Sequence, residues 1–469
     1  MCRAPGPGMG PRRRVRGGPS PGLGSLVVVA LGLAGWAGAG GPARAAAASA
    51  LVVDRRGTAE VVRVEANGGH VNPRVAVGTR AGAEGGRPGL FALGTIFEGE
   101  LLLAVPLRLA VFSRAPYPTS ESWSGLDEGS KEALILAQAI CAGGEAAVAA
   151  TTALGRPVGS PLLWGPDERE MLADLLAEVY LKRREAEVAL FQKYLALEED
   201  ARRETPGNCS FAGAYAAALV YGQGFHHGGE RVRGIIPVQS FIAYHPHAAK
   251  HLSHRANETH WAVWSQRRYL PGDEIQWANT DLPFAENAAS LLHYGTALED
   301  PALFSAAVKL TLTLSSDARL PLLKGIIRSS KAQRVSHRAV VMQCGNDACT
   351  EVTVSVHIAH DMIYSAAKFV LKVIACITVG NEDFPAVQKH LMADVALPTA
   401  VFQACAATAA DLVQHLSNQY EGRWNRAVAK PKSAAKEQAL LIIRGENEIL
   451  MLLHRIFTDF KGAAVAGPG

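Results

Sequence analysis

The sequence predicts an α+β protein: a β-rich part interrupted by a helical insertion, followed by an all-α C-terminal domain. Three observations carry this. Short apolar alternations of period two crowd the stretch from Val52 to Ser113. Helical periodicity replaces them between Lys131 and Tyr221, and strand-like segments return from Ile235 to Trp277. After Pro301 the pattern is mainly helical again, which reads as a separate layer of helices. The chain has 469 residues, enough for two or three domains with cores, and 48% apolar content excludes disorder throughout.

The elements are expected in this order. Val61–Val64 and Arg74–Val77 are apolar alternations separated by Asn67-Gly68-Gly69, so both are expected to be strands around a turn. Leu90–Leu93 and Glu100–Val105 are further strands, with Glu98-Gly99 as the tight connection and Pro106 as the stop. Lys131–Cys141 is expected to be helical. Pro166 to Arg203 is expected to be one long helical stretch, with Met171, Leu175, Val179, Ala186, Leu190 and Tyr194 on its apolar face. A third helix covers Phe211–Tyr221. Ile235–Val238 is strand-like, and Pro271-Gly272 turns the chain into a strand ending at Trp277. Apolar faces then run through Ile363–Val379, Thr399–Leu416 and Lys436–Phe457, punctuated by Pro385, Pro398 and Pro431.

The first 50 residues differ from the rest. No acidic residue precedes Asp54, while Arg3, Arg12, Arg13, Arg14, Arg16 and Arg44 do, and an apolar run from Leu23 to Ala39 follows the Arg cluster. An acid-free, Arg-rich, small-residue-rich segment reads as a cleaved leader. The run also fits a secretory signal or a membrane tether. Gly24, Gly32, Gly35 and Gly38 interrupt it, which argues against a permanent span. The sequons at Asn208 and Asn257 do not decide the compartment.

A net charge of +4, spread along the chain, gives no concentrated basic stripe and hence no expectation of nucleic-acid binding. Seven irregularly spaced cysteines do not form a disulfide pattern, so reduced, mostly buried thiols are expected. Histidines concentrate between His226 and His260. Their spacing matches no zinc template, so a solvated loop and no metal site is expected. His357, His360 and Asp361 lie at the start of an apolar helix, where Asp361 is expected to act as a cap or first-turn acid.

Five motifs in order carry a resemblance. They are Asn67–Pro73 followed by Gly89-Leu90-Phe91-Ala92 and Gly99–Pro106; Pro161-Leu162-Leu163-Trp164 before the long helix; Gly222–Phe225 and Pro237–Tyr244; Tyr269–Trp277 with Asn287 and Leu291–Gly295; and Lys436–Leu450. Together they resemble the SET-domain family of the Rubisco large-subunit lysine methyltransferase type, across roughly residues 55–457. The resemblance implies a SET-like domain at 51–297 with a helical insertion at about 115–225. A substrate-binding-like domain at 298–458 and a tail at 459–469 complete the chain. It implies S-adenosylmethionine as cofactor, protein-lysine N-methylation as activity, and a protein substrate or partner gripped by the C-terminal domain. It assigns cofactor contacts to Gly89, Leu90, Phe91, Gln223, Ala243 and Tyr244, and catalytic positions to Trp277 and Tyr294. It also directs the leader to the chloroplast, with the secretory pathway or a tether through 23–39 as the alternative.

Several of these positions depart from the family pattern. Gln223 stands where the family has Arg, Ala243-Tyr244 where it has Asn-His, and Trp277 where it has Tyr. An Arg–carboxylate bond is charge-assisted, and exchange for a neutral amide bond costs roughly tenfold in affinity. Indole is bulkier than phenol and only donates, so Trp277 cannot accept a hydrogen bond from a lysine amine and is expected to fill the methyl pocket. Two readings stay open at this point: a methyltransferase with altered cofactor contacts, and a non-catalytic protein-binding module on the same scaffold.

Overall fold

The computed structural model describes residues 28–29, 51–80, 88–113, 123, 126–155, 157, 159–197, 209–227, 230–248, 250–278, 286–313, 319–332, 340–344, 351–392 and 396–462. Most of the leader, Cys2, Cys349 and Asn208 lie outside these residues. The one leader element described is β1 (Val28–Val29), which pairs antiparallel with β2 (Leu51–Val53).

The β-rich part opens with β2 and helix α1 (Arg55–Ala66), not with the expected strand at Val61–Val64. The valines favour a strand, but local hydrogen bonds decide for a helix. The Asp54 side chain accepts from the Gly57 amide at 2.7 Å as an N-cap, and Arg63 pairs with Glu60 one turn back at 2.6 Å. Val64, at 0% exposure, is the residue the helix sinks into the core. Strands β3 (His70–Val71), β4 (Val75–Arg80), β5 (Gly89–Ala92) and β6 (Leu101–Pro106) follow. The expected turns at Gly99 and Gly272 are present, with φ of 79° and 88° that a side chain would resist.

The insertion starts after β7 (Val111–Phe112) and comprises α2 (Glu128–Cys141), α3 (Glu145–Leu154), the short α4 (Pro166–Arg169), α5 (Leu176–Leu197) and α6 (Phe211–Val220). The expected single helix from Pro166 is therefore broken, and Asp174 sits in the left-handed region at φ 61° between its parts. The buried face of α5 is Leu181, Arg184, Glu187, Val188 and Phe191, not the Val179–Ala186–Leu190 stripe. A buried ion pair explains the difference: Arg184 Nη1 donates to Glu187 Oε2 at 2.6 Å and to Ser130 Oγ at 2.7 Å. A hydrophobicity pattern cannot see polar residues that satisfy one another inside.

Cysteines also depart from expectation. Cys141, ending α2, is disulfide-bonded to Cys209, just before α6, with Cα atoms 5.5 Å apart. Cys376 and Cys405 are buried free thiols, as expected.

The remaining strands of the β-rich part are β8 (Gln223–His227), β9 (Glu230–Ile235), β10 (Ala243–Tyr244), β11 (Leu252–Ala256), β12 (His260–Ser265) and β13 (Glu274–Trp277), closed by α7 (Asn287–Tyr294). They assemble into a six-stranded sheet β1-β2-β4-β5-β13-β10, a four-stranded sheet β11-β12-β6-β3 and a three-stranded sheet β7-β9-β8.

The C-terminal region is helical, with α8 (Arg319–Ala332), α9 (Ile363–Thr378), α10 (Phe384–Met392), α11 (Thr399–Ala429) and α12 (Ala434–Gly462). It is not all-α. A three-stranded antiparallel sheet, β14 (Ser305–Thr313), β16 (Glu351–Ala359) and β15 (Val340–Cys344), stands in front of the helices. Val352, Val354, Val356 and Ile358 are buried at alternate positions of β16, a period-two signal legible in the sequence. The fold class is otherwise the one expected: an α+β chain with a β-rich part carrying an inserted helical layer, then a helical C-terminal region.

Candidate functional site

Strand β13 organises the site. On one side it pairs antiparallel with β5, placing Ile275 opposite Leu90 and Glu274 opposite Phe91. On the other it pairs in parallel with β10, placing Gln276 beside Ala243 and Trp277 beside Tyr244. The His245 amide extends this register by donating to the Trp277 carbonyl at 2.9 Å. Gly89 leaves room for a neighbour: a Cβ there would lie 2.7 Å from Glu274 Oε1.

Tyr294 reaches the same place from α7. It is the last residue of that helix, which Gly295 caps in the left-handed conformation at φ 67°. Its ring stacks on Tyr244 with centroids 3.7 Å apart and planes 15° from parallel. Both rings are buried, at 4% and 6% exposure. Burial pushes the Tyr244 phenol up to about 12, with the Ser290 hydroxyl offsetting part of the rise. Trp277 is also buried, and the His254 ring meets it edge-on at 6.0 Å. Burial lowers the His254 pKa below the ordinary value, so this ring is neutral near pH 7.

The turn into β10 is strained. Val238 holds φ 64° at 0% exposure, a left-handed conformation that costs a β-branched residue about 1–3 kcal/mol. The core around it enforces the bend, and the 3-10 turn Gln239–Phe241 then delivers Ala243 and Tyr244 to β13.

Gln223 lies in the other small sheet, opposite Gly234. Its carboxamide oxygen accepts from Gln239 Nε2, so the side chain is committed to the turn before β10. The adjacent buried cation, Arg233, donates from Nε to the Ala218 carbonyl at 3.0 Å and from Nη2 to the Leu219 carbonyl at 3.3 Å, near the C-terminal end of α6. Sequence reasoning missed Arg233 and Ser290, and it expected His254 in a solvated loop, whereas His254 lies on β11 with its ring stacked on Trp261. Nothing in the spacing of these residues marks them.

The structure thus brings Leu90, Phe91, Ala243, Tyr244, Trp277 and Tyr294 together on three neighbouring strands, β5, β13 and β10, and one helix end, with Gln223 joined through Gln239. Beneath this motif the insertion passes at backbone contact. A Cβ on Gly159 would lie 2.1 Å from the Gly295 carbonyl oxygen.

No protein-family model matches the sequence, and no curated protein matches it either. Solved structures do. The SET domain of LSMT bound to lysine and AdoHcy superposes with a TM-score of 0.60 at 14% identity, covering 88% of this chain and 92% of that one. Rubisco LSMT bound to AdoMet gives 0.58 at 14% identity over 87% and 93% of the two chains. Rubisco LSMT bound to sinefungin and monomethyllysine gives 0.58 at 15% identity over 88% and 94%. The chain has the SET fold. At this identity the likeness establishes architecture, and the chemistry must be judged from the side chains in place.

S-adenosylmethionine carries a carboxylate, an ammonium, a sulfonium and an adenosine, and needs a polar partner for each. Ala243, Leu90 and Phe91 offer no polar side-chain atom, the Gln223 oxygen is engaged by Gln239 so that only its Nε2 amide could donate, and the Tyr244 ring is stacked on Tyr294. Arg233 is turned to the end of α6, donating from Nε and Nη2 to helix carbonyls. The side chains at the expected cofactor positions therefore offer this cofactor only neutral polar partners, Gln223 Nε2 and the Tyr244 hydroxyl. Among the described residues no cluster of His, Cys, Asp or Glu is placed to hold a metal ion, and no single helix is long and apolar enough to cross a membrane.

Proposed function

We propose that this chain is a degenerate relative of the protein-lysine N-methyltransferases on the SET scaffold, one that recognises a protein and has lost most of its affinity for S-adenosylmethionine. The single observation that carries the reading is the Tyr244–Tyr294 stack, 3.7 Å between centroids, at the position where the resemblance calls for Asn-His beside a free Tyr. With its ring stacked on Tyr244, the Tyr294 phenol is poorly placed to hold a lysine amine. Partner recognition falls to the C-terminal region. Its helices α11 and α12 enclose a groove of about 460 Å³, walled by Tyr420, Trp424, Arg444 and Asn447. Trp424, at 39% exposure, is the kind of anchor that protein interfaces favour.

A second reading, an active S-adenosylmethionine-dependent protein-lysine methyltransferase, draws support from one observation. Tyr294 keeps the family position at the end of α7, capped by Gly295 and adjoining β10 and β13. Calorimetric titration of the folded chain with S-adenosylmethionine and S-adenosylhomocysteine separates the two. Absence of heat at millimolar ligand is the expected result. Micromolar binding would overturn the first reading and send the search to lysine substrates.

A further inference from the structure

We propose that Asn257 is an N-glycan acceptor, and that the chain matures in an oxidising secretory compartment where the Cys141–Cys209 bond forms. The inference is independent of the function proposed above. Two separate parts of the molecule support it.

The first is the sequon Asn257-Glu258-Thr259, which forms the loop between β11 and β12. All three residues are exposed, so a glycan attached there would lie outside the fold. The loop also has a chemically apt shape. Asn257 Oδ1 accepts from the Thr259 amide at 2.9 Å, the Thr259 hydroxyl at 3.2 Å and the His260 amide at 2.7 Å. These donors draw density onto the carboxamide oxygen and make the Nδ2 protons easier to lose. Among the described residues Nδ2 itself has no hydrogen-bond partner, so it is available to react.

The second is the disulfide. Cys141 and Cys209 are 68 residues apart and enclose α3, α4 and α5 of the insertion. Such a bond persists in an oxidising lumen and is rare where glutathione and thioredoxin keep thiols reduced. The Arg cluster followed by the apolar run Leu23–Ala39 is of the kind that leads a chain into that lumen. Both observations select the secretory alternative for the leader over the plastid.

Chemically, glycosyl transfer forms the Nδ2–C1 bond and breaks the C1–O bond of a polyprenol-diphosphate oligosaccharide. The polyprenol diphosphate leaves with the bonding pair, and one Nδ2 proton passes to a base. Bridging removes two electrons and two protons from the cysteine thiols and delivers them to a disulfide-donating oxidoreductase, which becomes a dithiol.

The test expresses the full chain, residues 1–469, in eukaryotic cells and follows gel mobility after peptide N-glycosidase. Wild type should shift by one glycan more than Asn257→Gln. Thr259→Ala should behave like Asn257→Gln, and Thr259→Ser should retain the glycan. Asn208→Gln in parallel separates any contribution of the sequon at Asn208. Maleimide labelling under denaturing conditions should reach Cys141 and Cys209 only after a reductant. Equal mobility of wild type and Asn257→Gln would overturn the acceptor assignment, and thiols that label without reductant would overturn the oxidising compartment.

Discussion

Glu446 is a carboxyl with no exposure to speak of, at 2%, where three parts of the chain meet. It belongs to α12, its Oε1 accepts from the Leu176 amide of α5 at 2.8 Å, and its Oε2 accepts from the Tyr420 hydroxyl of α11 at 2.6 Å. Burial raises its pKa from the ordinary 4.5 to about 7, against the opposing pull of Tyr420, the Leu176 amide, Arg423 and His357. Because the folded pKa lies above the unfolded one, the folded state holds the proton more tightly. Stability from this group is therefore highest below pH ~4.5 and falls as pH rises towards ~7, where the folded carboxyl also ionises. Beyond that it is level. A gap of roughly two to three pKa units at 1.36 kcal/mol each makes the swing about 3 kcal/mol. Glu446→Gln keeps an acceptor for Leu176 and presents an amide to the Tyr420 oxygen, but never ionises. Urea unfolding at intervals from pH 4.5 to 8 should show the wild type losing about 3 kcal/mol relative to the variant across that range. Parallel pH profiles for the two proteins would refute the buried-charge account. So would a variant several kcal/mol less stable than wild type at pH 8, because the hydrogen bonds would then outweigh the charge.

Three further outcomes follow from the packing. Restoring the family residues together, Ala243→Asn, Tyr244→His and Trp277→Tyr, should raise S-adenosylhomocysteine affinity by at least about tenfold in calorimetry, since it opens the ring stack and adds polar partners. Gly159→Ala should destabilise by about 3 kcal/mol or more in urea titration, because its Cβ would overlap the Gly295 carbonyl at 2.1 Å and neither backbone can yield cheaply. Arg319→Ala should cost at least about 3 kcal/mol, since the guanidinium donates to the carbonyls of Cys376, Ile377 and Val379 at 3.1, 2.6 and 2.7 Å and fills space under Phe384. Its effect should appear as an earlier thermal transition.

Much of the candidate site was legible because its framework is made of turns and buried runs. The turns at Gly99 and Gly272 need a left-handed residue, and glycine announces it. Tyr294-Gly295 is a helix end with its cap, and Tyr269–Trp277 is a turn running into a strand, both of them local patterns. The identities of Gln223, Ala243, Tyr244 and Trp277 were equally plain as departures from the pattern that the resemblance implies. The stack of Tyr244 on Tyr294 was not. It depends on the parallel pairing of β10 with β13, a contact across about 30 residues of chain that no local pattern encodes.

By itself the sequence determined the alternation of strand-rich and helix-rich segments, since side-chain period follows backbone geometry wherever one face is apolar. It failed where an interaction that apolar periodicity does not register outweighed the pattern's local preference. Val61–Val64 became helical because Asp54 caps that helix and its Val64 face packs into the core. The α5 helix turned Arg184 and Glu187 inward because Ser130, Tyr215 and His293 complete their hydrogen bonds. Cys141 met Cys209 because α2 and α6 pack side by side. In each case the partner lies outside the local segment, or in a distant one, and its contribution of a few kcal/mol exceeds the tenths that local propensity supplies. Which residues touch was decided only by the tertiary structure.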